Sequence, residues 1–433
     1  MPQNENRDAI ILGAGVSGLV AAKLLQRQGI TNIALIDEYS HIGGNHIARH
    51  IGPFTFDIGS FLFQDDSPFF SHFPELASLY VPVTISVGRV TPAGNVSSYP
   101  ISISKEVFAK GPLEISLTIL SLLTARLCRS AINAGDYARF WIGNRLYEKS
   151  GLSNYIERFY GVKAEDIEID FAKKRMSWIS EKATFRNIFK DFFTSKKNGS
   201  WPQQLVRPST GFLTIYDAAR QSLEQEGAMF VLGEPVERIA KTGNGFEVLT
   251  KRRVFRTERI IGTIPLRSLL SLCGFDDAPR LKSVDLVSLF FSFTGSRGFP
   301  HNILYNFTAT GRWKRLTMFS DYYGQSNLKE YFCVEINKRK AEKIDQLVAD
   351  FLETSRKFGL FEGDCRLEGY EITKNAYPVY TAGASETAQS AIAKLRQFGI
   401  QAFGRQGGFD YLSTAAATTL VAQDNIAAMT SSS

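Results

Sequence analysis

Ala9-Ile-Ile-Leu12-Gly13-Ala-Gly15-Val16-Ser17-Gly18 is the stretch that decides the fold. A short apolar run, of a length suited to a buried parallel strand, leads directly into three glycines spaced G-x-G-x-x-G. Residues 19–28 follow with helical spacing, and Gly29 is placed to end that helix. A second apolar run, Asn32-Ile-Ala-Leu-Ile36, ends at Asp37. Each residue type has a physical task in such a unit. Gly13 permits the tight strand-to-helix turn, Gly15 leaves room for a pyrophosphate, and Gly18 lets helix and strand pack closely. The helix start at Val16 and Ser17 offers unpaired N–H groups and a positive dipole end to phosphates. The acid that ends the second strand, Asp37 with Glu38 beside it, suits a ribose diol. Strand, glycines, helix, strand and acid in this order imply a βαβ dinucleotide-binding unit.

The 433 residues suffice for two or three domains. A composition 44% hydrophobic and 21% charged is that of a globular protein with a sizeable core. Cys128, Cys273, Cys333 and Cys365 are widely spaced with no CxxC pair, so neither a metal site nor a disulfide framework is expected. A reducing cytoplasm is the expected location. His41, His46, His50, His72 and His301 lack zinc-site spacing, and no metal is expected. Residues 1–7 are polar and do not read as a secretory signal. The most apolar later stretch, Leu113 to Leu127, includes Glu114, Ser116, Ser121, Thr124 and Arg126. It is too short and too polar to span a bilayer and reads as a buried or amphipathic helix, with contact to a membrane surface as the alternative. A net charge of +7 fits an anionic small-molecule substrate, and no Lys/Arg block is dense enough for nucleic acid.

Beyond Asp37, the glycine pair in Asp37-Glu38-Tyr39-Ser-His-Ile-Gly43-Gly44-Asn45 resembles the extended FAD fingerprint of the amine oxidase and protoporphyrinogen oxidase superfamily. Later segments resemble the same group, and UDP-galactopyranose mutases in particular. Phe56-Asp57-Ile-Gly59-Ser60-Phe61 looks like the strand and turn beneath the isoalloxazine. Ser98-Tyr-Pro100 looks like the opening of the substrate side, and Arg207-Pro-Ser-Thr-Gly211-Phe like the return to the FAD side. Val236 matches a position giving backbone contacts to adenine, and Thr263 lies on the returning strand Arg259-Ile-Ile-Gly-Thr263. Ala402-Phe-Gly404-Arg405-Gln-Gly-Gly408-Phe-Asp-Tyr411-Leu412-Ser413 resembles the closing FAD motif, with Arg405 on the pyrophosphate and the last helix under the ribityl chain. The resemblance implies an α/β fold: a discontinuous Rossmann-like FAD domain (residues 1–95, 205–270 and 375–433), a mainly helical insertion (96–204), and a substrate-domain sheet (271–374).

The resemblance implies FAD as the cofactor and leaves two chemistries. In the mutase reading, reduced flavin N5 is the nucleophile that interconverts ring forms of a nucleotide-activated sugar, in surface polysaccharide or glycoconjugate synthesis. Arg315 and Tyr377 match residues that hold the diphosphate, Tyr155 matches the uridine-stacking tyrosine, and Tyr160 stands in place of a tryptophan. Arg186 is the candidate for the second, mobile-loop arginine, because the simplest register puts Ile179 there. Phe61 and Gln64 replace histidines beside the flavin, and Ser413 replaces an acid, which points away from galactopyranose itself. In the oxidoreductase reading, oxidised flavin takes a hydride from a C–N or C–C bond. A homodimer fits either reading, and a flavin-bound protein without turnover is a third.

Overall fold

The computed structural model describes residues 3–59, 61–101, 111–128, 130–176, 179, 202–275 and 281–430. The quoted stretch folds into the central strand Ala9–Leu12 and the helix Val16–Arg27, with Gly29 in the left-handed conformation that releases the chain. Ala9–Leu12 lies inside a five-stranded, wholly parallel sheet. Its spatial order is Met229–Leu232, Ile33–Asp37, Ala9–Leu12, Ile260–Gly262, Ile400–Ala402. The three central strands are buried end to end, which is why they read as unbroken apolar runs. The fold is therefore α/β with a Rossmann-like unit, and its sheet draws strands from three distant parts of the chain.

A second, seven-stranded sheet is antiparallel apart from one pair. Its order is Phe361–Pro378, Ser283–Arg297, Glu330–Lys338, Arg315–Met318, Ile303–Asn306, Val87–Val90, Val96–Ser98. Residues 87–90 thus pair here and not with the Rossmann strands, although the sequence grouped them with the nucleotide-binding part. One face of this sheet is closed by the helix Ile344–Lys357, with Phe291, Phe332 and Phe351 meeting in the core between them. A smaller sheet of Gln3–Asn6, Arg253–Thr257, Gly245–Thr250 and Val236–Thr242 flanks the Rossmann unit.

Helices Pro112–Cys128, Ala134–Lys149, Leu152–Tyr160 and Ile169–Arg175 form the inserted helical part. They enclose an aromatic core that includes Tyr155, Phe171, Phe307, Tyr380 and Tyr411. Among the described residues, no helix is long and apolar enough to cross a membrane.

Candidate functional site

Two features adjoin at Arg405: a cleft over the glycine turn, and a knot of tyrosines and cations beside it. The turn closes tightly because of residue size. A Cβ on Gly18 would lie 2.0 Å from the Gly13 carbonyl oxygen, so only glycine lets this helix start where it does. The far end of the chain docks just as closely. A Cβ on Gly404 would lie 2.4 Å from Ser17 Oγ, so the closing motif is seated against the first helix.

Between them lies a cleft of about 490 Å³ lined by Gly13, Gly15, Val16, Ser17, Asp37, Glu38, Gly43, Gly44, Asn45, Thr263 and Arg405. A second cavity of about 390 Å³ shares Glu38, Ile264, Pro265 and Ser268 with the first and reaches Val236. The two acids at the strand end do different work. Asp37 accepts from the N–H groups of Ala14 (2.7 Å) and Tyr39 (2.9 Å), bracing the glycine turn. Burial raises its pKa, and those two N–H bonds oppose the shift. Glu38 lines both cavities.

Arg405 stands at the mouth of the cleft. Its Nε donates to the Leu412 carbonyl (2.8 Å), and its guanidinium carbon lies 5.7 Å from the centre of the Tyr377 ring. Leu412 is buried and Ser413 exposed. The turn between them and Gly408 puts Phe409 at φ 46°, in the left-handed region. Tyr380 pins that turn: its hydroxyl donates to the Phe409 carbonyl (2.5 Å) and accepts from the Tyr411 N–H (3.0 Å).

Tyr377 belongs to a ring cluster that runs through Tyr411 to Tyr160, Phe159 and Tyr155. Arg315, Tyr377 and the candidate tyrosines are thereby brought into one neighbourhood. Arg315 donates to the Gly59 carbonyl (2.8 Å) and to Glu335 (2.5 Å), and stands 5.8 Å from the Phe61 ring centre. Burial disfavours its charge, but Glu335, Tyr305 and Tyr377 together outweigh that and raise its pKa. Tyr155 stacks on Phe307 at 4.5 Å and meets Tyr99 and Tyr305, so that ring face is covered.

Sequence reasoning missed Lys314 and Glu335. Lys314 is buried, with Nζ 4.7 Å from the Tyr377 ring centre, 5.3 Å from that of Phe159, and 3.8 Å from Glu335. Burial lowers its pKa to about 8. The available signal was an acid interrupting the apolar strand Tyr331-Phe-Cys-Val-Glu335-Ile, across the ladder from Arg315. His46 was also missed: it lines the cleft, and its Nδ1 shares a short hydrogen bond with the Tyr216 hydroxyl. Burial, with Arg405 nearby, pulls its pKa down to about 3.

Asp57 is a correction. The sequence placed it among the cofactor contacts, but its side chain is inaccessible and fully engaged. Arg207 donates to one oxygen and the Tyr323 hydroxyl to the other, each at 2.5 Å. It ties the strand before Gly59 to the core and does not line the cleft. Ser60 and Arg186 lie outside the described residues, and Ile179 is buried in the helical part. No group of three or more His, Cys, Asp or Glu among the described residues could hold a metal ion.

Comparison with known proteins agrees with this architecture. Residues 11–76 match the NAD(P)-binding Rossmann-like domain. All of this chain aligns with 96% of a reduced UDP-galactopyranose mutase, at a TM-score of 0.79 and 18% identity. A protein of Exiguobacterium sp. 255-15 assigned as a protoporphyrinogen oxidase aligns over 99% of both chains, at a TM-score of 0.74 and 16% identity. Putrescine oxidase aligns over 99% of this chain and 100% of its own, at 0.62 and 13% identity. Residues 11–76 are thus similar to a Rossmann-like NAD(P)-binding domain. The chain as a whole has the fold of the UDP-galactopyranose mutase, protoporphyrinogen oxidase-like and putrescine oxidase structures.

Proposed function

We propose that the cleft holds FAD and that the protein is a flavin-dependent enzyme with a mutase-like role on a nucleotide-activated sugar. The residues present fit the cofactor. Gly15 and Gly44 lie against one another in the cleft wall, a Cβ on Gly44 coming within 3.3 Å of Gly15 Cα, and a side chain on either would crowd a diphosphate laid over them. The start of helix Val16–Arg27 and Arg405 would hold that diphosphate. Glu38 would accept from the ribose, while the second cavity at Val236 would take the adenine. When bound, the flavin ring supplies either nucleophilic or hydride-accepting chemistry.

One observation carries the mutase reading: Lys314 and Arg315 stand beside Tyr377 inside an aromatic enclosure, with Arg405 joining that tyrosine to the cofactor cleft. Two buried cations beside one tyrosine suit a substrate with a diphosphate, which needs charge neutralised where water is excluded. Arg315 and Lys314 would bind the phosphoryl oxygens, and Tyr377 would donate to one of them. Burial raises the Tyr377 pKa, so it stays a hydroxyl donor.

The oxidoreductase reading draws on Tyr155, whose stacking on Phe307 occupies a ring face that would otherwise receive a base. Titrating the oxidised and the dithionite-reduced protein with nucleoside diphosphates, while following the flavin spectrum, separates the two. The mutase reading expects saturable binding, and Arg315→Lys, which keeps a charge for Glu335 but loses the fork, weakens it about tenfold. Absence of nucleotide binding, with oxygen uptake on an amine or hydrocarbon substrate, would assign the oxidoreductase instead.

A further inference from the structure

The helix Pro112–Cys128 has an unusual outer surface. Its inner side, including Leu122 and Ala125, is buried, and it packs along the helix Ala134–Lys149. The outward arc carries Leu113, Leu117, Ile119, Leu120, Leu123 and Leu127, all exposed, with Leu113 at 72% and Leu127 at 84%. Among the described side chains of this helix, the other exposed ones are Pro112 and two that carry hydroxyls, Ser116 and Thr124. Their hydroxyls donate back to helix carbonyls, Ser116 to Pro112 (3.0 Å) and Thr124 to Leu120 and Ser121 (3.0 Å each). The arc therefore contains no charge and spends its few polar groups on its own backbone. A helix facing bulk water normally carries charged residues there, and contiguous apolar patches of this kind mark interaction sites.

Charge selects the occupant. The helix has one acid, Glu114, at the edge of the arc, and it is neutralised by Arg145 (2.7 Å) and Lys149 (2.9 Å). Arg126 lies near the other end, Lys110 and Arg129 flank the helix in the sequence, and the chain carries a net +7. An uncharged apolar arc with Arg145 and Lys149 beside its one acid and Arg126 at its far end matches the boundary between acyl chains and anionic headgroups. Seventeen residues at ~1.5 Å each reach only ~25 Å, short of the ~20 residues a spanning helix needs. The geometry points to a helix lying in the plane of a membrane. We propose that Pro112–Cys128 docks the protein on an anionic lipid surface, with its leucines among the acyl chains. This stands independently of which reaction the cleft supports.

The test is flotation of the full-length protein with vesicles. Vesicles of phosphatidylcholine mixed with phosphatidylglycerol should carry the protein to the top of the gradient. Vesicles of phosphatidylcholine alone should carry less, and added salt should weaken the anionic case. The double substitution Leu117→Glu and Leu120→Glu should lower the vesicle partition coefficient at least ~100-fold, since two leucines are lost from the apolar phase. A second pair, Leu113→Gln and Leu127→Gln, should lower it too, with thermal unfolding unchanged in both. Wild-type protein that stays at the bottom, or variants that float as well as wild type, would overturn the proposal. So would a dimer, seen by light scattering, that the leucine substitutions dissociate while vesicles leave the protein unbound; the face would then belong to a second copy.

Discussion

Arg207→Met should destabilise the protein by about 3–5 kcal/mol, because it leaves the Asp57 carboxylate buried without its cation. Both side chains are fully inaccessible and meet at 2.5 Å. The guanidinium also donates to Thr55 Oγ1 (2.8 Å) and the Pro208 carbonyl (2.8 Å), and its carbon sits 4.1 Å from the Tyr323 ring centre. Methionine replaces much of the apolar stem but none of these donors, so the cost comes from unsatisfied polar groups and not from a cavity. The assay is urea unfolding followed by circular dichroism. With a slope of about 3 kcal/mol per molar urea, the midpoint should fall by at least ~1 M. Adding Asp57→Asn should recover about half of the loss, since the stranded charge is then gone. A loss below ~1 kcal/mol, or a double variant no more stable than Arg207→Met alone, would show that the buried Asp57 charge does not depend on Arg207.

Three further outcomes are expected. Gly18→Ala puts a methyl 2.0 Å from the Gly13 carbonyl, so the helix start must shift; FAD affinity should fall at least ~10-fold in a fluorescence titration, and unchanged affinity would count against the close fit. His46 is neutral when folded because burial holds its pKa at about 3, whereas the unfolded chain takes up a proton below about 6.5. Its contribution to stability is present above that pH and is lost as pH falls, by up to ~1.4 kcal/mol per unit. His46→Gln should remove this slope, and parallel stability curves for the two proteins between about pH 6 and pH 4 would contradict it. Tyr380→Phe removes both hydrogen bonds that pin the turn at Phe409–Tyr411, and should cost about 1–3 kcal/mol in thermal unfolding; an unchanged melting temperature would show the turn is held otherwise.

The dinucleotide unit was legible because its determinants are local. Gly13, Gly15, Gly18 and Asp37 sit on one strand-turn-helix-strand segment, where spacing alone fixes geometry. The closing motif around Arg405 was legible for the same reason, as glycines, an arginine and a helix start stand in sequence. The substrate side was harder. Lys314 and Glu335 meet only because Arg315–Met318 pairs antiparallel with Glu330–Lys338, a register no local pattern announces. Tyr380 reaches Phe409 across 29 residues. Asp57 was misplaced because an acid at a strand end looks the same in sequence whether it meets a ligand or a distant arginine, here Arg207. The leucines of residues 113–127 could be read as amphipathic, but which side faced outward depended on where Ala134–Lys149 packs.

The proposed chemistry depends on FAD binding in the cleft that joins Gly13–Gly18 to Arg405. Equilibrium dialysis of flavin-free protein against FAD and against NAD, with bound ligand measured in each case, tests it most directly. FAD should be retained at one per chain, with the absorbance of a bound flavin, and retention should fall strongly in Arg405→Ala. Retention of NAD without FAD, or of neither, would contradict it.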